Sequence, residues 1–314
     1  MAGPKQRAFR ESALYRALVA VAAVGRRIPL PLGRAFGRAL GSLAYIVAIH
    51  ERRKALKHIA IAFPEWDEAR RRSTIKKMFR HLGMSVFEIA WMRNMDVAKR
   101  DQLTVIEGAE PLLRLIDQGR GVVVFTAHCG NWEWMSYSVG LWGRPTTVLQ
   151  RERDAPEMNR WITEHRARSG VRTVDRGSSA AGRELIQSLR RGGILAFLID
   201  QNLRTDSVQV PFFGRNALTP IGPAKLAIRT ESIVVDILIE RLPDGRHRLK
   251  VGVPLETKRD DDPIALTARM TRIIEEQIRR VPEQWVWMHD RWRDRPKWDV
   301  GRTAVRPTSD EQGQ

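Results

Sequence analysis

The sequence lacks most of the features that announce a chemistry at sight. Its one cysteine, Cys129, leaves no partner for an intrachain disulfide and no thiolate cluster for zinc, which fits a reducing compartment. The seven histidines are scattered without ligand spacing, so no metal site is expected. There is no G-x-x-x-x-G-K-[ST] phosphate loop, no G-x-S-x-G elbow and no G-x-G-x-x-G after a strand. No cofactor is expected. Long hydrophobic runs are missing too. The stretch from Leu14 to Val24 is interrupted by Arg16, followed by Arg26-Arg27 and without a small-residue cleavage site, which argues against a signal peptide. No uncharged stretch reaches the roughly 18 to 20 apolar residues of a spanning helix, so the chain is expected to lie on a membrane rather than cross it.

Acidic residues are scarce in one region only. Of the net charge of +18, residues 1–100 carry most, with 21 Lys+Arg against 7 Asp+Glu, while the remainder is nearly balanced at 33 against 29. Such a basic face meets an anionic partner, either membrane phospholipid or nucleic acid. Patterning favours the membrane. Phe36, Leu40, Leu43, Ala44 and Val47 follow the i, i+4, i+7, i+8, i+11 spacing of one helical face, with Arg34 and Arg38 nearby, as in an interfacial helix. The alternatives are a helix that packs on its own domain with a solvated basic face, and a nucleic-acid-binding protein. Against the latter, the basic residues are not interleaved with exposed aromatic or recognition-motif patterns.

The pattern stays helical to about Asn94, broken at Phe63-Pro64, with Asp67 as N-cap of a helix whose stripe Met78, Leu82, Val86, Ile89 reads as core. From Leu103 strands and helices alternate. Apolar bursts at Val122–Phe125, Thr146–Leu149, Ile194–Ile199 and Ile233–Ile239, with a further strand near Arg248–Val253, are separated by helical stretches of about ten to fifteen residues. This grammar predicts an α/β fold with a largely parallel central sheet flanked by helices. The expected organisation is a basic amphipathic helical N-terminal extension over 1–100, part of the same unit, an α/β core over 101–301, and a disordered tail over 302–314.

Three polar positions follow apolar bursts: His128, Arg151 and Asp200. On parallel strands all three share the carboxyl edge of the sheet, where ligands bind in open α/β folds. His128 is suited to take a proton near neutral pH. Either Glu133, in the first turn of the next helix, or Asp200 could orient it; both arrangements fit the sequence. Backbone N–H groups from Gly130 to Trp132, at a helix start, could face an oxyanion or a phosphate. Arg151 offers a planar fork for phosphate or carboxylate. A hydrolase that activates water on His128 and Glu133 would use the same residues.

The stretch Thr126-Ala127-His128-Cys129-Gly130-Asn131-Trp132-Glu133 resembles the His-x4-Asp/Glu motif of the lipid A biosynthesis lauroyl/myristoyl acyltransferases. Ala62-Phe63-Pro64-Glu65, Asp200-Gln201-Asn202, Pro211-Phe212-Phe213-Gly214 and Pro282 to Trp292 are similar to further elements of that family, in the same order. The resemblance implies a glycerolipid acyltransferase-like fold and transfer of a fatty acyl chain from an acyl carrier protein thioester, or acyl-CoA, to a hydroxyl of an anionic membrane glycolipid. It also implies His128 as general base with Glu133 orienting it, Asn131, Arg151, Asp200 and Gln201 in supporting or substrate-binding roles, and a place at the cytoplasmic face of the cell inner membrane. Lipid A is the first acceptor it suggests; close relatives acylate mannosylated inositol phospholipids or aminolipids. No nucleic acid is expected as a partner.

Overall fold

The computed structural model describes residues 27–150, 156–175, 181–203 and 205–292. The expectations for Leu14 to Val24, Arg151 and the tail 302–314 lie outside these residues. Three helices open the described chain: α1 (Leu30–Val47), α2 (Ile49–Ala62) and α3 (Glu68–Trp91). The Phe63-Pro64 step ends the second, because a residue before proline is pushed out of helical geometry. Asp67 caps the third by accepting from the Arg70 N–H at 2.6 Å. Then follow α4 (Val97–Leu103), β1 (Thr104–Glu107), α5 (Ala109–Asp117), β2 (Val122–Thr126), α6 (Trp132–Gly140), β3 (Thr146–Gln150), α7 (Pro156–Ala167) and β4 (Val171–Asp175). The chain continues through α8 (Ala181–Arg190), β5 (Ile194–Leu198), β6 (Ser207–Phe212), β7 (Arg215–Pro220), α9 (Gly222–Thr230), β8 (Ile233–Arg241), β9 (His247–Val251) and α10 (Pro263–Arg280).

Among the described residues seven strands form one sheet in the order β1-β9-β8-β2-β5-β3-β4, with helices on both faces. Strands β8, β2, β5, β3 and β4 are mutually parallel; only the β8/β9 pairing is antiparallel. The fold class is therefore α/β with a largely parallel central sheet. Central β2 is buried along its whole length, which is why it reads as an unbroken apolar burst. Val123 and Phe125 face one core, shared with α2, α3 and α10, while Val122 and Val124 face another under α5 and α6. The separate hairpin β6/β7 was not among the expected elements. It closes on a two-residue turn, Phe213-Gly214, with φ of 52° and 71°.

The packing of α1 departs from its sequence pattern. The face it lays on α3 is the row Gly33, Gly37 and Gly41, which meets Phe87, Gly83 and Phe79. A Cβ at Gly37 would stand 2.5 Å from the Gly83 carbonyl, so glycine permits the close approach. The apolar stripe is consequently left outside, with Phe36 54%, Leu43 54% and Val47 65% exposed. The stripe read as core on α3 is also only partly so. Met78 is buried, but Val86 is 41% exposed, because the buried side of α3 runs through Ile75, Phe79 and Phe87. Among the described residues no single helix is long and apolar enough to cross a membrane; α1 and α2 reach that composition only together, and they are bent by 89°.

Candidate active site

Strands β2 and β5 are parallel neighbours whose register pairs Thr126 with Leu198. Two residues beyond that pair, His128 and Asp200 leave the sheet side by side at its carboxyl edge. Asp200 Oδ1 lies 2.8 Å from His128 Nδ1, while Oδ2 accepts from the His128 backbone N–H at 2.9 Å and the Trp285 indole at 2.7 Å. One carboxylate fixes both the ring and the backbone of the histidine. Asp200 is buried, whereas the His128 side chain keeps 22% of its surface exposed. Burial would raise the Asp200 pKa, but the charge and hydrogen bonds of His128, with the Trp285 indole, bring it down to about 2. The ionised carboxylate has no proton to donate, so in the neutral form of the ring Nδ1 carries the hydrogen and Nε2 the lone pair.

These contacts correct the expectation that Glu133 orients His128. Glu133 belongs to the first turn of α6, and its carboxylate meets Arg166 of α7 through both oxygens, at 2.6 Å and 3.0 Å. The same guanidinium reaches Gln150 at the end of β3, at 3.0 Å. Burial of Arg166 is outweighed by Glu133, which raises its pKa and keeps the pair ionised. Arg166 had no signal in the sequence, since it lies within an ordinary polar helix.

Asn131 works on the opposite side of the loop. Its Oδ1 caps α6 by accepting from the Trp134 N–H at 3.0 Å, and its Nδ2 donates to Glu88 at 2.8 Å. Glu88 is fully buried on α3 and also receives Arg34 of α1 at 2.6 Å and Arg241 of β8 at 2.6 Å. Burial opposes its charge, yet the neighbouring His247 and Arg241 hold its pKa well below the usual carboxylate range. His81, pushed down to about 3 by burial and by the Arg241 charge, is neutral and faces that guanidinium through Nδ1 at 2.7 Å. Glu88, Arg241 and His81 form a joint between α1, α3, β8 and the loop from His128 to Asn131 that no local motif betrays.

The C-terminal aromatic stretch clamps the loop from outside. Gly130 N–H donates to Gln284 O at 2.9 Å, Val286 N–H to His128 O at 3.1 Å, and Cys129 bridges Trp285 as in a short antiparallel ladder. Gly130 is therefore engaged and is not among the N–H groups open to an oxyanion, as its position before a helix had suggested. Its φ of 65° and the 2.5 Å that would separate a Cβ from Ile239 O both call for glycine. Burial pushes the Cys129 thiol pKa up, so this thiol is not a nucleophile. Gln201 follows Asp200 at the sheet edge, partly buried.

Beside the same edge, an apolar cavity of about 350 Å3 runs between α8, α9 and the sheet, lined by Leu149, Leu185, Phe197, Ile199, Leu203 and Leu226 among others. Its wall at Leu198 and Ile199 leads directly into Asp200.

A largely parallel sheet flanked by helices, with the His-x4-Glu stretch at its carboxyl edge, has the architecture of an acyltransferase. Residues 4–294 match the bacterial lipid A biosynthesis acyltransferase family, and the chain belongs to it and is an O-acyltransferase. It is 27% identical to the lipid A biosynthesis lauroyltransferase of Escherichia coli K12 over 276 residues, 86% of this chain and 88% of that one. It is 28% identical to the palmitoleoyltransferase of the same organism over 283 residues, 89% and 90% of the two chains. A phosphatidylinositol mannoside acyltransferase of Mycolicibacterium smegmatis is 29% identical over 195 residues, 61% of this chain and 63% of that one.

Proposed function

We propose that the chain transfers a fatty acyl group from an acyl carrier protein thioester, or from acyl-CoA, to a hydroxyl of an anionic glycolipid. A lipid A precursor is the first acceptor to test, in line with the names of the relatives aligned over most of the chain, and a mannosylated inositol phospholipid is the second. The observation that carries the reading is the buried Asp200 carboxylate holding Nδ1 of a part-exposed His128 at the sheet edge. His128 Nε2 removes the acceptor hydroxyl proton, and the oxygen attacks the thioester carbonyl. Asp200 stabilises the imidazolium that forms. The tetrahedral intermediate then expels the thiolate, which takes the proton back from His128, so every proton is returned. Glu133 positions Arg166 against Gln150 at the end of β3, and the cavity beside Ile199 receives the acyl chain.

The acceptor is fixed in a bilayer, so the enzyme must meet it there. The exposed row Leu32, Phe36, Leu43, Ile46 and Val47 on α1 suits insertion into the interface, and the basic N-terminal third suits anionic headgroups. On this reading the protein is peripheral or monotopic at the cytoplasmic face of the cell inner membrane. The test is His128→Ala in the full chain, with acyl carrier protein thioester, acceptor in mixed micelles and mass spectrometry of the lipid. Transfer should disappear while liposome sedimentation and melting temperature stay as in the parent. Near-normal turnover would sink the mechanism, and free fatty acid as the main product with acceptor present would replace transfer by hydrolysis.

A further inference from the structure

On the far side of the catalytic loop from Asp200, a cleft of about 690 Å3 opens between α1, α3, the β8/β9 connection and the end of α10. Its walls carry Arg34 and Arg38 from α1, Lys77 and Arg80 from α3, Arg248 from β9 and Arg280 from α10. Some of this charge is neutralised in place: Glu240 takes Arg248 at 2.8 Å and Arg280 at 3.0 Å, and Glu88 takes Arg34. Arg38, Lys77 and Arg80 form no ion pair among the described residues. Arg38 reaches only the Met84 sulfur at 3.9 Å, and Arg80 the Ser42 hydroxyl at 2.9 Å. Arg34 Nη2, in the same wall, is buried without a hydrogen-bond partner. Three unneutralised cations and an orphaned guanidinium N–H around one concavity describe a seat for a multiply charged anion.

We propose that this cleft binds the phosphate-bearing headgroup of the anionic lipid that the enzyme acylates, an inference that rests on the acyl-transfer reading above. The volume is that of a small-molecule site and suits a headgroup better than a protein helix. Helical spacing places Arg34 and Arg38 on one flank of the glycine row of α1 and the exposed apolar row on the other, so insertion of the apolar row leaves the arginines about one helix diameter, ~10 Å, above it. A phosphate carried on a sugar ring stands at that height. The cleft is also wired to the catalytic loop. Gln284 in its floor accepts from Gly130, and Arg34 and Arg241 in its walls both hold Glu88, which holds Asn131.

The test uses the full chain, isothermal titration calorimetry and dioctanoyl phosphatidylinositol 4-phosphate as a soluble lipid with a ring phosphate. Binding should be at least tenfold weaker in the double variant Arg38→Gln, Arg80→Gln and unchanged in Arg114→Gln, an exposed arginine of α5 outside the cleft. Should the double variant fail to fold, Lys77→Gln at an exposed position should weaken binding about threefold. Equal affinity in parent and variant overturns the proposal. So does equal affinity for dioctanoyl phosphatidylcholine, or inorganic phosphate bound as tightly as the lipid, which would mark a free-anion site. Selective loss of acyl carrier protein binding in the variant would make the cleft a protein-docking surface instead. Because binding is read without turnover, a cleft that binds nothing leaves the assignment of His128 standing.

Discussion

Asp200 and Glu88 are both buried carboxylates, and they grip the same short loop from opposite sides. Asp200 is paired with an imidazole that can gain and lose a proton and is open to solvent on one side. Glu88 is paired with two guanidiniums, which keep their charge at every accessible pH, and with a buried His247 at 3.3 Å whose pKa burial lowers, and it has no open side. A charge opposite a titratable group can respond when a proton moves; a charge locked between arginines can only hold shape. On the proposed mechanism one carboxylate belongs to the chemistry and the other to the frame, although both are equally hidden from water.

The comparison breaks first on kinetics. Asp200→Asn keeps the size of the side chain, but its amide can present N–H to His128 Nδ1, shifting the ring hydrogen to Nε2 and removing the lone pair. The expected result is a fall in kcat of roughly 10²- to 10⁴-fold with little change in melting temperature. Glu133→Gln, which weakens the grip on Arg166, should cost no more than about tenfold. A larger loss at Glu133 than at Asp200 would return the orienting role to Glu133. Glu88→Ala should behave in the opposite way. It leaves Arg34 and Arg241 buried without a counter-charge, a loss of about 3 to 5 kcal/mol in unfolding free energy, while turnover per folded molecule falls less than in Asp200→Asn. Denaturant titration beside active-site counting separates the two.

Acid titration sharpens the same contrast. The Asp200 pKa lies at about 2 against an ordinary 3.8, so its contribution to stability is present above about pH 4 and disappears as the pH falls toward 2. The shift corresponds to ~2 kcal/mol. The urea midpoint of the parent should drop across that window, and the drop should be shallower in Asp200→Asn. An identical slope in the variant would show that the His128 pair does not contribute.

The parts of this molecule that were legible in the sequence are those set by local pattern. Strands β2 and β5 end two residues before His128 and Asp200, and parallel pairing then brings the two together. What escaped was set by partners distant in the chain. Strand β4, Val171–Asp175, is a short edge strand with an exposed Arg172, so its apolar signal is weak. Glu133 reads as a partner for His128 because it is near in sequence, but Arg166 lies 33 residues further on and takes it. Glu88 and Arg241 are 153 residues apart and carry no motif. On α1 the hydrophobic spacing was correctly read as one face, yet the glycines between those positions decided which face packs. Small residues allow backbones to touch, and a periodic apolar stripe does not by itself say that it is buried.

The smallest expected effect falls on the exposed row of α1. Since Leu43 and Val47 are more than half exposed, Leu43→Ser with Val47→Ser should change unfolding free energy by no more than about 0.5 kcal/mol per site. Gly37→Ala, by contrast, drives a methyl group into the Gly83 carbonyl and should destabilise the α1/α3 contact measurably despite adding one carbon. If the exposed row inserts into the interface, the double serine variant should sediment less with anionic liposomes and lose transfer to a bilayer-embedded acceptor. Its transfer to a short-chain acceptor dissolved below its micellar concentration should be unchanged. A serine variant that melts several degrees lower would instead mean that the row is covered by protein, and the interfacial role of α1 would have to be given up.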